Sequence, residues 1–392
     1  MEVSDPNVLK LHRTLPHYAA TPLRRLPKFL CDELGVGEVL IKDESDRFGL
    51  PAFKILGASW ACYKSIAQYL GLGRLTGKED LWDIRTAAAY AVANTRLRFF
   101  AATDGNHGRA VARMGKILGV RSCVFVPRVM LETTKDLIRE EGAEVTVVDG
   151  DNDKAVREAD KQCRERGGIL IQDDGWPGYE EVPNVSIHSL LLQRVCRLRH
   201  IHWQNHIRIF FVLSRSSIRL IIRQWIVQGY STMMHEIDQQ TTQLLRERPS
   251  IIITPVGVGS LAHAVVSHYK AEHHQATILA VEPDTAACLK TSLENGTITS
   301  IRTGNTSMCG LNCGTVSYTA WPYLRAGIDA CTTVTDQQAQ SAQEILKGFE
   351  ISVGPCAAAT LAALRNLRKD EKEKLGIDGQ SVVVLLATEG PR

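Results

Sequence analysis

Apolar residues fall along the chain in two alternating rhythms. Short runs dense in β-branched and aromatic residues, at 38–42, 98–102, 122–126, 144–148, 169–172, 251–254, 277–281 and 381–386, read as strands. Between them, 109–118, 131–140, 155–166, 261–271 and 337–347 repeat apolar residues three and four apart and read as helices. Strand and helix in turn is the grammar of parallel strands joined by crossovers, so the pattern predicts an α/β fold. No internal repeat is visible. With 392 residues the chain exceeds the size at which single cores stop growing, and two α/β domains are expected.

One block breaks the grammar. Residues 185–224, VSIHSLLLQRVCRLRHIHWQNHIRIFFVLSRSSIRLIIRQ, hold seven arginines but no Lys, Asp, Glu, Gly, Ala or Pro. The chain's net charge of +3 therefore comes from this block alone. An ordinary helical insertion and a basic amphipathic helix for a membrane or partner are two readings of it. The arginines do not keep to one helical face, which counts against the second.

Composition narrows the partners. A charge so near balance gives no reason to expect nucleic acid or an anionic membrane, and a small polar substrate fits better. The first residues lack a signal peptide's basic end and apolar run, and no 18-residue window is uncharged and apolar, so a cytoplasmic protein is expected. Ten cysteines form no CxxC pair and no zinc spacing; reduced thiols and no metal are expected.

Three stretches carry candidate chemistry. In RFGLPAFKILGASWA, Lys54 stands among Ala52, Phe53, Ile55 and Leu56, and apolar surroundings that lower an amine's pKa suit it to forming a Schiff base. A snorkelling surface lysine would look the same. TDGNHGR ends a strand in Asp104-Gly105-Asn106 before a helix, placing short polar groups beside free helix N–H donors, where a capped turn is the alternative. PVGVGSLAHAV runs from a strand through Gly257, Val258, Gly259 and Ser260 into a helix, the arrangement of a phosphate cradle. It lacks the Walker lysine and the third glycine of a dinucleotide fingerprint. A reactive lysine, a polar loop and a monophosphate cradle are together the parts that pyridoxal 5′-phosphate requires.

These residues, with KDESDRFGLPAFK, QDDGWPGYEEVP, WIVQGYSTMMHE, VEPD, GLNCG and LLATEG, resemble the diaminopropionate ammonia-lyase family of fold-type-II, tryptophan synthase β-like, pyridoxal-phosphate enzymes. The resemblance runs in order over nearly the whole chain. It implies a two-domain enzyme with mixed or parallel sheets and the cofactor in the cleft, a larger domain of 1–58 and 225–392, a smaller one of 59–184, and a homodimer. It implies Lys54 as the Schiff-base residue, Asn106 by the cofactor's 3′ oxygen, Gly257, Val258, Gly259 and Ser260 on its phosphate, and Thr388 facing the pyridine nitrogen. Asp104 and Asp173 resemble the family's acids around the substrate amines. The implied reaction is α,β-elimination of 2,3-diaminopropionate: Lys54 takes the α-proton, the 3-amino group leaves as ammonia, and the aminoacrylate hydrolyses to pyruvate and a second ammonia. For the D isomer Asp104 is the candidate second base.

The family's WxGYExIP segment is expected to continue almost directly into WIxQGYxTxxxE, whereas here 185–224 stands between them. A translated intron is the third reading of that block, because a 40-residue insertion without structure is unusual in a compact domain. Two other functions remain open at this point: a serine or threonine dehydratase, and a binding protein inactivated by the insertion.

Overall fold

The computed structural model describes residues 5–69, 85–86, 88–89, 92–93, 97–103, 105–172, 215–271 and 275–391. Helices α1 (Asn7–Thr14) and α2 (Lys28–Glu33) flank strand β1 (Leu23–Arg25), and β2 (Glu38–Asp43) leads to α3 (Lys54–Tyr69). Strands β3 (Arg98–Ala102), β4 (Arg121–Pro127), β5 (Glu144–Val148) and β6 (Ile169–Leu170) alternate with α4 (Asn106–Leu118), α5 (Glu132–Glu140) and α6 (Asn152–Arg166). Next come α7 (Arg215–Gly229), α8 (Ser231–Leu245), β7 (Ile251–Pro255), α9 (Ser260–Tyr269), β8 (Thr277–Pro283), α10 (Cys288–Asn295) and α11 (Trp321–Gly327). The chain then forms β9 (Ala330–Val334), α12 (Asp336–Gly348), α13 (Pro355–Asn366), α14 (Lys369–Lys374) and β10 (Val382–Ala387).

The strands form a six-stranded sheet, β1-β2-β10-β7-β8-β9, and a four-stranded sheet, β5-β4-β3-β6. Strand β1 pairs antiparallel with β2, and the other ladders between these strands are parallel. The first sheet draws on both ends of the chain and the second on its middle. Strand β10, VVVLLA, lies in the centre of the large sheet and is buried throughout. Alternation sends Val384 and Leu386 into one apolar cluster with Leu40 and Ile252, and Val383 and Leu385 into another with Ile41 and Ile253. The first cluster continues through Leu56 and Ile66 of α3 into Phe99 and Met114 beside the small sheet, so α3 is core to both.

All eight expected strands are present. The one expected over 169–172 keeps two ladder residues, because Gln172 turns its side-chain oxygen to the Ala102 N–H at 3.0 Å. Strands β1 and β9 had too little apolar density to be read; they are the sheet's two edges and are incompletely buried. Helices α3 and α13 are buried on nearly every side, so no 3.6-residue rhythm marks them.

The unusual block enters this architecture at its end. Residues 185–214 lie outside the described residues, but α7 begins at Arg215 and runs without interruption into WIVQG. Ile222, within the block, is buried in the core. Helix α7 crosses α3 at two glycines: a Cβ on Gly57 would lie 2.7 Å from Tyr230 Cε1, and one on Gly229 would lie 2.3 Å from the Leu56 carbonyl. Only hydrogen fits at this crossing. Among the described residues no helix is long and apolar enough to cross a membrane, and no group of three His, Cys, Asp or Glu could hold a metal ion.

Candidate active site

Three candidate segments leave the same edge of the large sheet. Ala387 of β10 stands opposite Asp43 of β2, and Leu385 stands opposite Ile253 of β7, so the C-terminal ends of these neighbouring parallel strands coincide. The chain to Lys54 leaves from β2, Thr388 follows β10, and 257–260 follows β7. Crevices outside the carboxyl ends of parallel strands are where such sheets bind ligands.

The segment before Lys54 is fastened from both sides. Phe53 N–H donates to the Thr388 carbonyl at 3.3 Å, Gly390 N–H donates to the Pro51 carbonyl at 2.9 Å, and Ala52 bridges Glu389. Upstream, Arg47 and Leu50 close a turn through Phe48 and Gly49, both at positive φ. Arg47 is fully buried and pairs with Glu44 at 2.6 Å and with Glu236 of α8 at 2.7 Å, while Lys42 reaches the same Glu236 at 2.7 Å. Thr21 Oγ1 accepts from Arg47 and donates to Glu44. Burial lowers the Lys42 pKa against the pull of Glu44 and Glu236. Burial pushes the Glu236 carboxyl up, but Arg47 and Lys42 outweigh it and hold the group below its ordinary value. Two cations and two anions thus cancel inside the fold, and the chain emerges at Lys54, the first residue of α3, half-buried with Nζ 5.4 Å from the Phe53 ring centroid.

The β7–α9 junction is built for close approach. Gly259 has φ +95°, a conformation that side chains resist. A Cβ on Gly257 would lie 2.8 Å from the Gly310 carbonyl. No side chain caps α9, whose first turn therefore presents backbone N–H donors beside the buried Ser260. Val258 is held from behind, its carbonyl accepting the Ser317 N–H at 2.9 Å. Glycines, uncapped donors, a hydroxyl and a helix dipole are the donor set that a phosphate group fits.

On the small sheet, α4 begins at Asn106 after Gly105. Thr103, which the sequence reading passed over, accepts the N–H groups of Gly105 at 2.8 Å and Gly108 at 3.1 Å. Asn106 Nδ2 donates to Glu389 Oε2 at 3.2 Å, joining the small sheet's helix to the segment after β10. Lys54, Asn106 and Thr388 are thus connected through 51–53 and 388–390. Asp104 and Asp173 lie outside the described residues. Glu389 was also passed over, although it stands inside LLATEG, because nothing local distinguishes it from a loop acid.

The donor set matches what comparison with known proteins returns. The family of pyridoxal-phosphate dependent enzymes matches residues 14–183 and 210–389. The diaminopropionate ammonia-lyase of Salmonella typhimurium is 31% identical over 98% of this chain and 88% of its own. The crystal structure of the Escherichia coli diaminopropionate ammonia lyase in complex with D-serine has a TM-score of 0.77 and 25% identity, covering 99% of this chain and 90% of that one. The same enzyme with an aminoacrylate-PLP azomethine reaction intermediate has a TM-score of 0.76 and 26% identity, covering 99% and 89%. Residues 184–209 separate the two matched stretches, so 210–224 of the unusual block fall inside the match. The family match and similarity along nearly the full length lead to one assignment: the chain belongs to the pyridoxal-phosphate dependent enzymes, within the diaminopropionate ammonia-lyase family.

Proposed function

We propose that the protein cleaves 2,3-diaminopropionate to pyruvate and two ammonia, with pyridoxal 5′-phosphate held at Lys54. The observation that carries the reading is the meeting of Lys54, Thr388 and 257–260 at one edge of three neighbouring strands, in a chain 31% identical to a diaminopropionate ammonia-lyase. The cofactor supplies an electron sink that makes the substrate's α-proton removable.

The protein's own groups do the rest. Lys54 Nζ holds the cofactor between turnovers and takes the α-proton of the L substrate. Backbone N–H groups of 257–260 and the Ser260 hydroxyl bind the phosphate. Asn106 would meet the cofactor's 3′ oxygen. Thr388 offers the ring nitrogen a neutral hydroxyl, which favours elimination because no carboxylate holds that nitrogen protonated. Asp104 and Asp173 are the acids assigned to the substrate amines by the family resemblance, with Asp104 the base for the D isomer. The reading extends to a homodimer acting on a small amino acid in the cytoplasm.

The test is to incubate purified protein and Lys54→Ala with D- and L-diaminopropionate, serine and threonine, following pyruvate and 2-oxobutyrate. Pyruvate from diaminopropionate, lost in Lys54→Ala, is the expected result. A preference for serine or threonine would replace this function by a dehydratase, and no turnover with no borohydride-reducible adduct on the Lys54 peptide would remove it. Asp104→Asn is expected to impair the D substrate far more than the L.

A further inference from the structure

Glu389 occupies a junction that its position in a terminal loop does not advertise. It is only 4% exposed. Its backbone bridges Ala52, and its carbonyl accepts the Gly354 N–H at 3.0 Å. The flanking residues are tied to the same strap, Thr388 to Phe53 and Gly390 to Pro51. Space for its side chain exists because residue 354 is glycine: a Cβ there would lie 2.8 Å from Glu389 Oε1 and 3.0 Å from its Cγ. From this seat the carboxylate reaches the first residue of α4, with Oε2 3.2 Å from Asn106 Nδ2.

The chemistry of the pair is asymmetric. A primary amide can turn either its oxygen or its nitrogen toward a neighbour, whereas a carboxylate only accepts. Glu389 therefore selects the nitrogen. Of the two N–H bonds on Nδ2 one serves Glu389, and the other is left to donate elsewhere. A group next to an anionic or phenolic oxygen is useful in only one of these orientations, the one that donates.

We propose that Glu389 is a positioning residue that fixes the Asn106 amide so that Nδ2, and not Oδ1, is offered to the 3′ oxygen of the cofactor. It also ties the helix that carries Asn106 to the strand end that carries Thr388, coupling the two sides of the site. The inference rests on the proposed roles of Lys54 and Asn106. Glutamine at 389 keeps the volume but can donate to Asn106 Oδ1, which releases the amide to turn round.

The experiment uses full-length wild type, Glu389→Gln, Glu389→Asp, Asn106→Ala and the Glu389→Gln/Asn106→Ala double variant. Each apoprotein is titrated with pyridoxal phosphate, and the balance between the bound cofactor's visible and near-ultraviolet absorbance bands is recorded. Glu389→Gln is expected to weaken cofactor binding by a factor on the order of ten, the scale of one hydrogen bond to a charged group. It should also shift the bands toward shorter wavelength, because the oxygen loses its donor. Glu389→Asp, which still only accepts, recovers part of that balance. In the Asn106→Ala background Glu389→Gln changes the bands no further, a result that a merely structural role would not produce. Equal band shifts with and without Asn106, or wild-type affinity and bands in Glu389→Gln, overturn the inference while a wild-type adduct at Lys54 leaves the proposed function standing. A wild type with no reducible adduct at Lys54 overturns both.

Discussion

Two polar regions, the charged cluster around Arg47 and the β7–α9 junction, use their groups in opposite ways. Upstream, Lys42, Glu44, Arg47 and Glu236 satisfy one another, with Thr21 and Gln240 completing the cluster. Downstream, the β7–α9 junction keeps side chains away from its backbone N–H groups, and glycine stands wherever a Cβ would intrude. One region is closed and charged; the other is open and built from backbone. The contrast separates scaffold from chemistry: KDESDR anchors the segment that leads to Lys54, and 257–260 keeps its backbone donors uncapped.

The comparison can be broken most severely from the unusual block. Removing 185–224 takes Ile222 and the first ten residues of α7, the helix that leads into the one supplying Glu236. Loss of a buried isoleucine alone costs about 2–5 kcal/mol, so this deletion is expected to leave no cooperative thermal transition. Removing only 184–209, the stretch between the family matches, is expected to preserve folding and cofactor binding. Thermal denaturation and pyridoxal phosphate titration of the two deletions decide the matter, and equal damage from both would show that 184–209 belongs to the fold.

Glu236→Gln attacks the closed region directly. It leaves Lys42 and Arg47 buried against a single carboxylate, a change that costs about 3–5 kcal/mol. The urea midpoint should fall while the bound cofactor's absorbance stays as in wild type. Gly257→Ala attacks the open region: its methyl group meets the Gly310 carbonyl at 2.8 Å and Cys313 Sγ at 3.2 Å. The expected stability loss is about 1–3 kcal/mol, with cofactor affinity lowered by a factor on the order of ten or more. If instead Glu236→Gln altered the cofactor and Gly257→Ala only the stability, the division of labour would be reversed.

The smallest effect at neutral pH belongs to His12, which borders the closed region and lies 2.7 Å from Thr232 Oγ1 and 2.8 Å from Ser59 Oγ. Burial, helped by Arg47, lowers its pKa from 6.5 to about 3. The fold therefore holds the neutral ring. Its contribution is complete above the unfolded value and is lost as pH falls through the window from 6.5 to about 3. His12→Gln should flatten that acid limb, as read from urea midpoints at neutral and mildly acidic pH; an unchanged limb would assign the loss to other groups.

How much of this the sequence discloses depends on range. The central strands of the large sheet are visible because parallel strands buried on both faces are continuous apolar runs, as in VVVLL and IIIT, whereas its edge strands β1 and β9 carry no such run. The lysine and both glycine junctions are visible because their signals are local. The charged cluster is not: Lys42 and Arg47 look like exposed residues in KDESDR, and their partner Glu236 is 194 residues beyond Lys42 along the chain. Glu389 is hidden for the same reason, its contact with Asn106 spanning 283 positions. Helix α7 is hidden differently, since its first ten residues carry the odd composition of the block and only the burial of Ile222 ties that stretch to the core.

The position of β10 carries a consequence for how the protein is made. The strand at 382–387 inserts between β2 and β7, with Val384 paired to Leu40. During synthesis β2 and β7 must therefore wait, each with an unsatisfied edge, until residues 382–387 have left the ribosome. Lone edges of this kind invite pairing with other nascent chains. Yield in the cell should accordingly depend on chaperones that shield these edges until β10 joins the two parts of the sheet.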